Sequence, residues 1–181
     1  MQFGLSFSPS PRRGKIVAAI VFLPMTVLTV LYVLGFRQNL TESQPPGIYR
    51  LTDRSSDPLV SFCPTGEAAE VTSKRGYRAE SWTCPDGHAA MLKPVAARPG
   101  DTVMVTHDGI AVNGILLPNT KSYPFDSRHN SLHQWPEGRY VVQPGTLWVL
   151  SSYNDRSYDS RYFGPISSTA VMHYGHLVFR F

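Results

Sequence analysis

The 181-residue chain has little charge and few cysteines. Charged residues make up 17% of it, and its formal net charge is only +4. It contains no dense basic patch with interleaved aromatic residues, so the sequence argues against binding to DNA or RNA. It also has no internal repeat and no low-complexity tract. At this length one domain is expected, with core enough to fold once any membrane segment is removed.

Two common site motifs are missing as well. No Gly-x-Ser-x-Gly elbow is present to hold a nucleophilic serine, and no His-Glu-x-x-His motif is present to bind zinc. The pairs His129/His133 and His173/His176 have a spacing that suits a metal on a helix, but neither pair lies in a helical pattern. We interpret them as exposed loop histidines and predict no metal and no cofactor. A metal-binding module is the weakest alternative.

The chain has only two cysteines, Cys63 and Cys84. A disulfide between them would close a loop of about 22 residues and add about 3 kcal/mol to the free energy of unfolding. That pairing requires an oxidising compartment. A metal site shared with histidines is the alternative, but Cys-x20-Cys is not a recognised zinc spacing. We therefore predict the disulfide.

A long uncharged run, residues 16–36, follows a basic cluster formed by Arg12, Arg13 and Lys15. Its about 21 residues are enough to cross a hydrocarbon core. A cleavable signal peptide is the rival, but its apolar region would be shorter and would end in a small-residue cleavage site. We predict a retained single-pass anchor at 16–36. Because the basic cluster precedes it, residues 1–15 should be cytoplasmic and residues 37–181 periplasmic, in a bacterial inner membrane.

Beyond the anchor the sequence predicts short strands with Pro-Gly or Asn-Gly turns and little helix. The fold class is therefore mainly β, a folded sheet or barrel behind one N-terminal transmembrane helix. One soluble helix is expected, at 67–75, and a polar loop at 118–138. Strands are expected at 47–51, 59–62, 91–97 and 101–107, in a hairpin at 109–117, in a strand–turn–strand unit at 139–152, and at 176–181.

The stretch "NLTESQPPGIYRLT", residues 39–52, lies directly behind the apolar run. A flexible linker would not need Pro45, Pro46 and Gly47 in succession. The two prolines fix their own φ angles, and the turn that carries Ser43 is thereby restricted. The pattern indicates a serine held in a fixed direction.

Lys93 lies in a strongly apolar strand, within "AAMLKPVAA". On an alternating strand it shares a face with Met91 and Val95, so it is buried if that face is buried. Burial removes hydration from the ammonium group and lowers its pKa, and a neutral lysine can take a proton from a serine hydroxyl. An edge-strand lysine that reaches back to water is the alternative.

A third polar segment, residues 151–166, follows the apolar strand "TLWVL". Within it Asp159 and Arg161 can pair, while Ser157 or Ser160 presents a hydroxyl. Taken alone this is an ordinary polar loop. Together with a serine in a stiff turn and a lysine in an apolar strand, it supplies the parts of a Ser–Lys acyl-transfer site.

Three motifs in order resemble the conjugative-transfer signal peptidases, the TraF-type branch of the type I signal peptidase clan. "NLTESQPPGIYR" is similar to that branch's N-x-T-x-S-x-P-x-G-x-Y box. "LKPVAARPGDTV" is similar to its lysine box, L-K-R-V-A-A-L-P-G-D-x-V, and "SYDSRYFGPI" to its S-x-D-S-R-Y-F-G-P box. The resemblance covers residues 33–166 and implies a signal-peptidase-like β domain.

The resemblance implies that Ser43 is the nucleophile and Lys93 its general base. It places at Thr41 a hydroxyl that assists the backbone N–H of Ser43 in the oxyanion hole. Donors of this kind are worth about 3–4 kcal/mol each in comparable enzymes.

The same resemblance implies that Ser157 orients the lysine amine, and that Asp159 and Arg161 pair to shape that wall. Two positions depart from the branch's pattern. Pro94 replaces an arginine and removes a backbone donor, which a sheet edge tolerates. Arg98 replaces an apolar residue and suggests an exposed turn.

The resemblance implies a membrane-anchored serine endopeptidase that matures an exported pilin precursor for a conjugation or type IV secretion system. Water or an amine can resolve the acyl-enzyme, and an amine from the substrate's own amino terminus would give a ring. The implied partners are the pilin precursor, the lipid bilayer and other components of that system. A catalytically silent periplasmic assembly protein that binds pilin peptides is the alternative.

Overall fold

A computed structural model describes residues 11–39 and 41–181. The chain divides into two compact units, Met1–Phe36 and Arg37–Phe181. In the first unit, helix α1 spans Pro11–Val33 and contains Pro24. Among the residues described, no helix is both long enough and apolar enough to cross a membrane. The anchor at 16–36 stays a prediction, and most of the predicted tail 1–15 lies outside the described residues.

The domain is mainly β, as the sequence predicts. A seven-stranded sheet has the order β1-β2-β11-β3-β4-β9-β10, and a four-stranded sheet has the order β7-β6-β5-β8. The strands are β1 (Phe36–Asn39), β2 (Gly47–Thr52), β3 (Leu59–Phe62), β4 (Met91–Ala97), β5 (Thr102–Thr106), β6 (Gly109–Val112), β7 (Ile115–Leu116), β8 (Gly138–Val141), β9 (Thr146–Val149), β10 (Ile166–Ser167) and β11 (Val171–Arg180).

Two short α-helices and a single 3-10 turn, Ser168–Ala170, complete the described part of the domain. Helix α2, Gly66–Lys74, lies within one residue of the prediction at each end. Helix α3, Ser160–Phe163, was not predicted, because it is a single turn inside a segment of polar loop composition. The side chain of Asp159 caps it by accepting a hydrogen bond from the Arg161 N–H.

Two apolar clusters form the core. One contains Val103, Val105 and Trp148 from the strands of both sheets, and the other contains Val60 and Val149 from the larger sheet. Strand β5 shows why these residues are inside: Val103 and Val105 are buried, while Met104 between them is exposed. The alternation predicted from period-2 patterning is therefore present where the core forms.

The lysine strand β4 is an interior strand, not an edge strand. It pairs with β3 from Met91 to Pro94 and with β9 at Val95 and Ala97. The expectation that Pro94 lies at a sheet edge is therefore wrong. Pro94 has no N–H to donate, but its carbonyl accepts a hydrogen bond from the Leu150 N–H at 3.1 Å, just before the irregular stretch of the ladder to β9 at Val95–Ala97.

Two further expectations concern the turn after β4 and the last strand. Pro99 and Gly100 of the turn are exposed, as expected, whereas Arg98 is half-buried and donates to the carbonyls of Ser55 at 2.6 Å and Asp57 at 2.8 Å. The last strand begins at Val171, well before the predicted 176, because it pairs with β3 as well as with β2. Long-range pairing of this kind leaves little local signal in the sequence.

The predicted disulfide between Cys63 and Cys84 is present, with Cα atoms 5.6 Å apart. Cys63 directly follows β3, and Cys84 lies in the segment that leads to the lysine strand. The bond therefore closes the segment that contains α2 onto the larger sheet.

Removing this disulfide should lower the free energy of unfolding by about 3 kcal/mol, because the cross-link restricts the unfolded chain. The double variant Cys63→Ser, Cys84→Ser tests this in urea unfolding, monitored by circular dichroism. Reductant should shift the wild-type midpoint to that of the variant and leave the variant unchanged. Equal midpoints for the oxidised wild type and the variant would contradict the prediction.

Candidate active site

Asn39 organises the loop that carries Ser43. Its side chain is buried, and its amide group donates to the carbonyls of Thr41 at 3.3 Å, Gln44 at 3.3 Å and Pro45 at 3.5 Å. One side chain thus binds carbonyls on both sides of the serine. Asn39 belongs to the first sequence motif, but no role was predicted for it.

The rest of the motif holds the loop against the sheet. The hydroxyl of buried Tyr49 donates to the Pro45 carbonyl at 2.7 Å. A side chain at Gly47 would place its Cβ only 2.3 Å from the Phe179 carbonyl oxygen, so only glycine fits beneath β11. The motif spacing is therefore explained by packing around the serine.

Thr41 lies two positions before the serine, and it is exposed. Its hydroxyl donates to Asn39 Oδ1 at 2.7 Å, and its backbone N–H donates to the same oxygen at 3.3 Å. The hydroxyl would have to leave Asn39 to reach an oxyanion. Its role in an oxyanion hole stays a prediction.

Lys93 is buried, with 3% of its surface exposed. Its amine donates to Ser157 Oγ at 2.6 Å. Burial lowers the pKa of Lys93 from 10.5 to about 8, and the negative charge of Asp159 opposes part of that shift. A substantial fraction of this lysine is therefore neutral in mildly alkaline solution, as a general base must be.

Asp159 and Arg161 form a buried ion pair, 2.8 Å between Arg161 Nε and Asp159 Oδ1, with both side chains fully inside the protein. A second contact joins Arg161 Nη2 to Asp159 Oδ2 at 3.0 Å. The guanidinium also donates to the carbonyls of Asn119, Lys121, Asp155 and Ser151. The arginine thus ties separate loop segments to the wall beside Lys93.

Within the described ranges, hydrogen bonds connect Ser43 to Asp159 of the ion pair but do not join it directly to Lys93. The Ser43 carbonyl accepts from Ser151 Oγ at 2.6 Å, and the Ser151 N–H donates to Asp159 Oδ2 at 3.0 Å. No hydrogen bond connects the Ser43 hydroxyl to the Lys93 amine in the described part of the chain. Catalytic hydrogen bonds are often loose in unliganded enzymes and tighten with substrate.

Ser151, which is completely buried, was not among the predicted site residues. It lies in the polar segment already singled out, six positions before Ser157, but composition alone does not distinguish one serine from another. What distinguishes Ser151 from the other serines is its contact with Ser43, which lies 108 positions earlier in the chain.

His173 and His176 lie in strand β11, and His176 is half-buried, so the interpretation of this pair as exposed loop histidines is wrong. His176 Nδ1 lies 3.1 Å from Asp57 Oδ2, and His173 Nδ1 lies 3.7 Å from Asp53 Oδ1. Within residues 11–39 and 41–181, no group of three or more His, Cys, Asp or Glu side chains could hold a metal ion.

The model of the family described as signal peptidase, peptidase S26, matches residues 14–181. The chain belongs to this family. The resemblance stated from the three sequence motifs is thereby confirmed.

Conjugal transfer proteins are among its relatives. A conjugal transfer protein TraF of Agrobacterium fabrum is 35% identical over 170 residues, which are 91% of this chain and 93% of that protein. A plasmid transfer protein TraF of Escherichia coli is 33% identical over 147 residues, which are 78% of this chain and 81% of that protein. The solved structure of a signal peptidase I from Enterococcus faecalis V583 matches with a TM-score of 0.36 and 19% identity, covering 68% of this chain and 97% of the other.

Proposed function

We propose that the chain is a serine endopeptidase that matures an exported pilin precursor for a conjugation or type IV secretion system. The observation that carries the proposal is the buried amine of Lys93, bonded to Ser157 and with its pKa lowered to about 8. The family match and the conjugal transfer relatives support the class of substrate.

In this proposal neutral Lys93 takes the hydroxyl proton of Ser43 as Ser43 Oγ attacks the peptide carbonyl. The Ser43 N–H and the Thr41 hydroxyl donate to the oxyanion that forms. The C–N bond then breaks, and the lysine ammonium gives its proton to the leaving amine, which leaves an acyl-enzyme on Ser43. Ser157 Oγ holds the amine in place throughout.

The acyl-enzyme has two chemical fates. Attack by water releases a trimmed linear product and returns the proton to Ser43. Attack by the amino terminus of the same peptide forms a new peptide bond and gives a ring. A folded pilin whose two ends lie close together would favour the second route, because the effective concentration of the amine is then high.

The location is also part of the proposal. The uncharged run at 16–36 and the basic cluster before it support a single-pass protein with the peptidase domain in the periplasm. Extraction of bacterial membranes with alkaline carbonate, followed by immunoblotting, tests it. Release of the full-length chain into the soluble fraction would contradict the anchor.

The function is tested by the mass of the pilin from cells that carry the wild-type gene or the Ser43→Ala variant. Wild-type cells should contain a processed pilin, and the variant should contain only the precursor. A product one water lighter than the trimmed linear chain would show a ring. Normal processing by a well-expressed Ser43→Ala protein would overturn the proposal and favour the silent assembly protein.

A further inference from the structure

Two residues of the segment that follows β9 hold the nucleophile loop from outside. Ser151 Oγ donates to the Ser43 carbonyl at 2.6 Å, and Asn154 Nδ2 donates to the Glu42 carbonyl at 3.2 Å. The Ser43 carbonyl also accepts from Gln44 Nε2, but Gln44 is part of the same loop and moves with it. Ser151 and Asn154 therefore connect the loop to the rest of the domain.

These two carbonyls belong to the two peptide planes that flank the Ser43 Cα. A peptide unit is planar, so fixing its carbonyl also fixes its N–H. The Glu42 carbonyl shares a plane with the Ser43 N–H, which is the predicted oxyanion donor. The Ser43 carbonyl lies in the next plane, so both planes together set the direction of the Ser43 side chain.

Ser151 is in turn held by the buried ion pair. Its N–H donates to Asp159 Oδ2 at 3.0 Å, and its carbonyl accepts from Arg161 Nη2 at 2.9 Å. Its side chain is completely buried, and the Asn154 N–H approaches its hydroxyl at 3.3 Å. The hydroxyl therefore has a fixed position relative to Asp159, whose charge also acts on Lys93.

The geometry points to Ser151 and Asn154 as positioning residues for the nucleophile, through which the Asp159–Arg161 pair aligns Ser43 with Lys93. The inference rests on the proposed function. The ion pair then has two roles, because it shapes the wall around the lysine and also fixes the loop that carries the serine. Misplacement of a reacting group by about 1 Å can cost about 100-fold in rate.

The test uses the full-length enzyme and a synthetic peptide that spans the processing site found in the pilin. Ser151→Ala should lower kcat by about 10- to 100-fold with KM changed less than about twofold, because substrate contacts remain and alignment is lost. Ser151→Thr keeps the hydroxyl and should recover most of kcat. Ser151→Cys keeps the volume but is a weak donor, so it should behave like Ser151→Ala.

A second readout is hydrogen–deuterium exchange of peptides that cover residues 41–50. Exchange there should rise in Ser151→Ala and in Asn154→Ala. Ser73→Ala is the matched control, because Ser73 Oγ also donates to a backbone carbonyl, that of Ala69 at 2.8 Å, in helix α2. It should change neither kcat nor exchange at 41–50.

The inference would be overturned if Ser151→Ala folds and keeps the wild-type kcat and the wild-type hydrogen–deuterium exchange at residues 41–50. It would also be overturned if Ser73→Ala lowers kcat by as much as Ser151→Ala does. If Ser151→Thr and Ser151→Ala are equally slow although both are folded, the hydroxyl has no positioning role. The proposed function has its own test: if the Ser43→Ala variant still cleaves the peptide, the proposed function is wrong. An inactive Ser43→Ala beside a fully active Ser151→Ala would remove only the inference.

Discussion

Lys93→Met should abolish precursor processing and yet leave a more stable protein. Methionine has a similar length and no proton to exchange, so Ser43 loses its base. General base catalysis contributes about 10²- to 10⁴-fold, and kcat should fall by at least that much. The measurement is peptide cleavage by full-length enzyme at pH 8. Lys74→Met, which removes an exposed lysine of α2, is the matched control and should keep wild-type kcat.

The gain in stability follows from the direction of the pKa shift. The folded-state pKa of Lys93 is about 8, below the ordinary value of 10.5, so between these values the unfolded chain binds more protons. The stability of the wild type should therefore rise as the pH increases from about 8 to 10.5. At pH 7 the burial of the charged Lys93 amine lowers the free energy of unfolding of the wild type, and methionine carries no such charge. The free energy of unfolding of Lys93→Met should therefore be about 2–4 kcal/mol higher.

The same shift sets the pH dependence of the rate. Because the base must be neutral, kcat of the wild type should rise as the pH passes through about 8 and then level off. A flat profile between pH 7 and 9 would contradict Lys93 as the base. Equal urea midpoints of the wild type and Lys93→Met at pH 7 would contradict the prediction that burial of the charged Lys93 amine destabilises the folded protein.

Arg161→Met should cost about 3–5 kcal/mol of unfolding free energy, because it leaves the Asp159 carboxylate buried without its partner. The variant also leaves several loop carbonyls without a donor. Urea unfolding at pH 7 measures the loss. Arg156→Met is the matched control: Arg156 lies in the loop just before α3 and is exposed above the Tyr123 ring, so its loss should cost less than about 1 kcal/mol.

The charges of Asp159 and Arg161 should also change the pKa of Lys93, the proposed base. Asp159 raises the pKa of Lys93, and Arg161 lowers it. Asp159→Asn removes the negative charge, so the rising limb of the pH–rate profile should move to lower pH in whatever fraction stays folded. If Arg161→Met is as stable as Arg156→Met, or if the limb moves to higher pH in Asp159→Asn, the assigned electrostatics are wrong.

Local patterns made much of the domain predictable. Helix α2 and strands β2 to β5 lie close to their predicted bounds, because each has alternation or helical periodicity bounded by glycine or proline. Strands β1 and β10 and helix α3 were missed, because their sequences FRQN, IS and SRYF contain no run of alternating apolar residues and no helical periodicity. The prediction of the disulfide needed only the presence of two cysteines and the assumption of an oxidising compartment.

The sequence by itself determined which side chains are available for acyl transfer: a serine in a proline-restricted turn and a lysine in an apolar strand. It left open whether Lys93 is buried, since that depends on β3 and β9, which cover the strand from both sides. The resemblance of the motifs implied that Ser157 meets the lysine amine, 64 positions away, but only the tertiary structure placed Ser151 on the Ser43 carbonyl, 108 positions away. Contacts between segments so far apart depend on sheet pairing and leave no periodicity in the chain, so they are decided when the sheet forms.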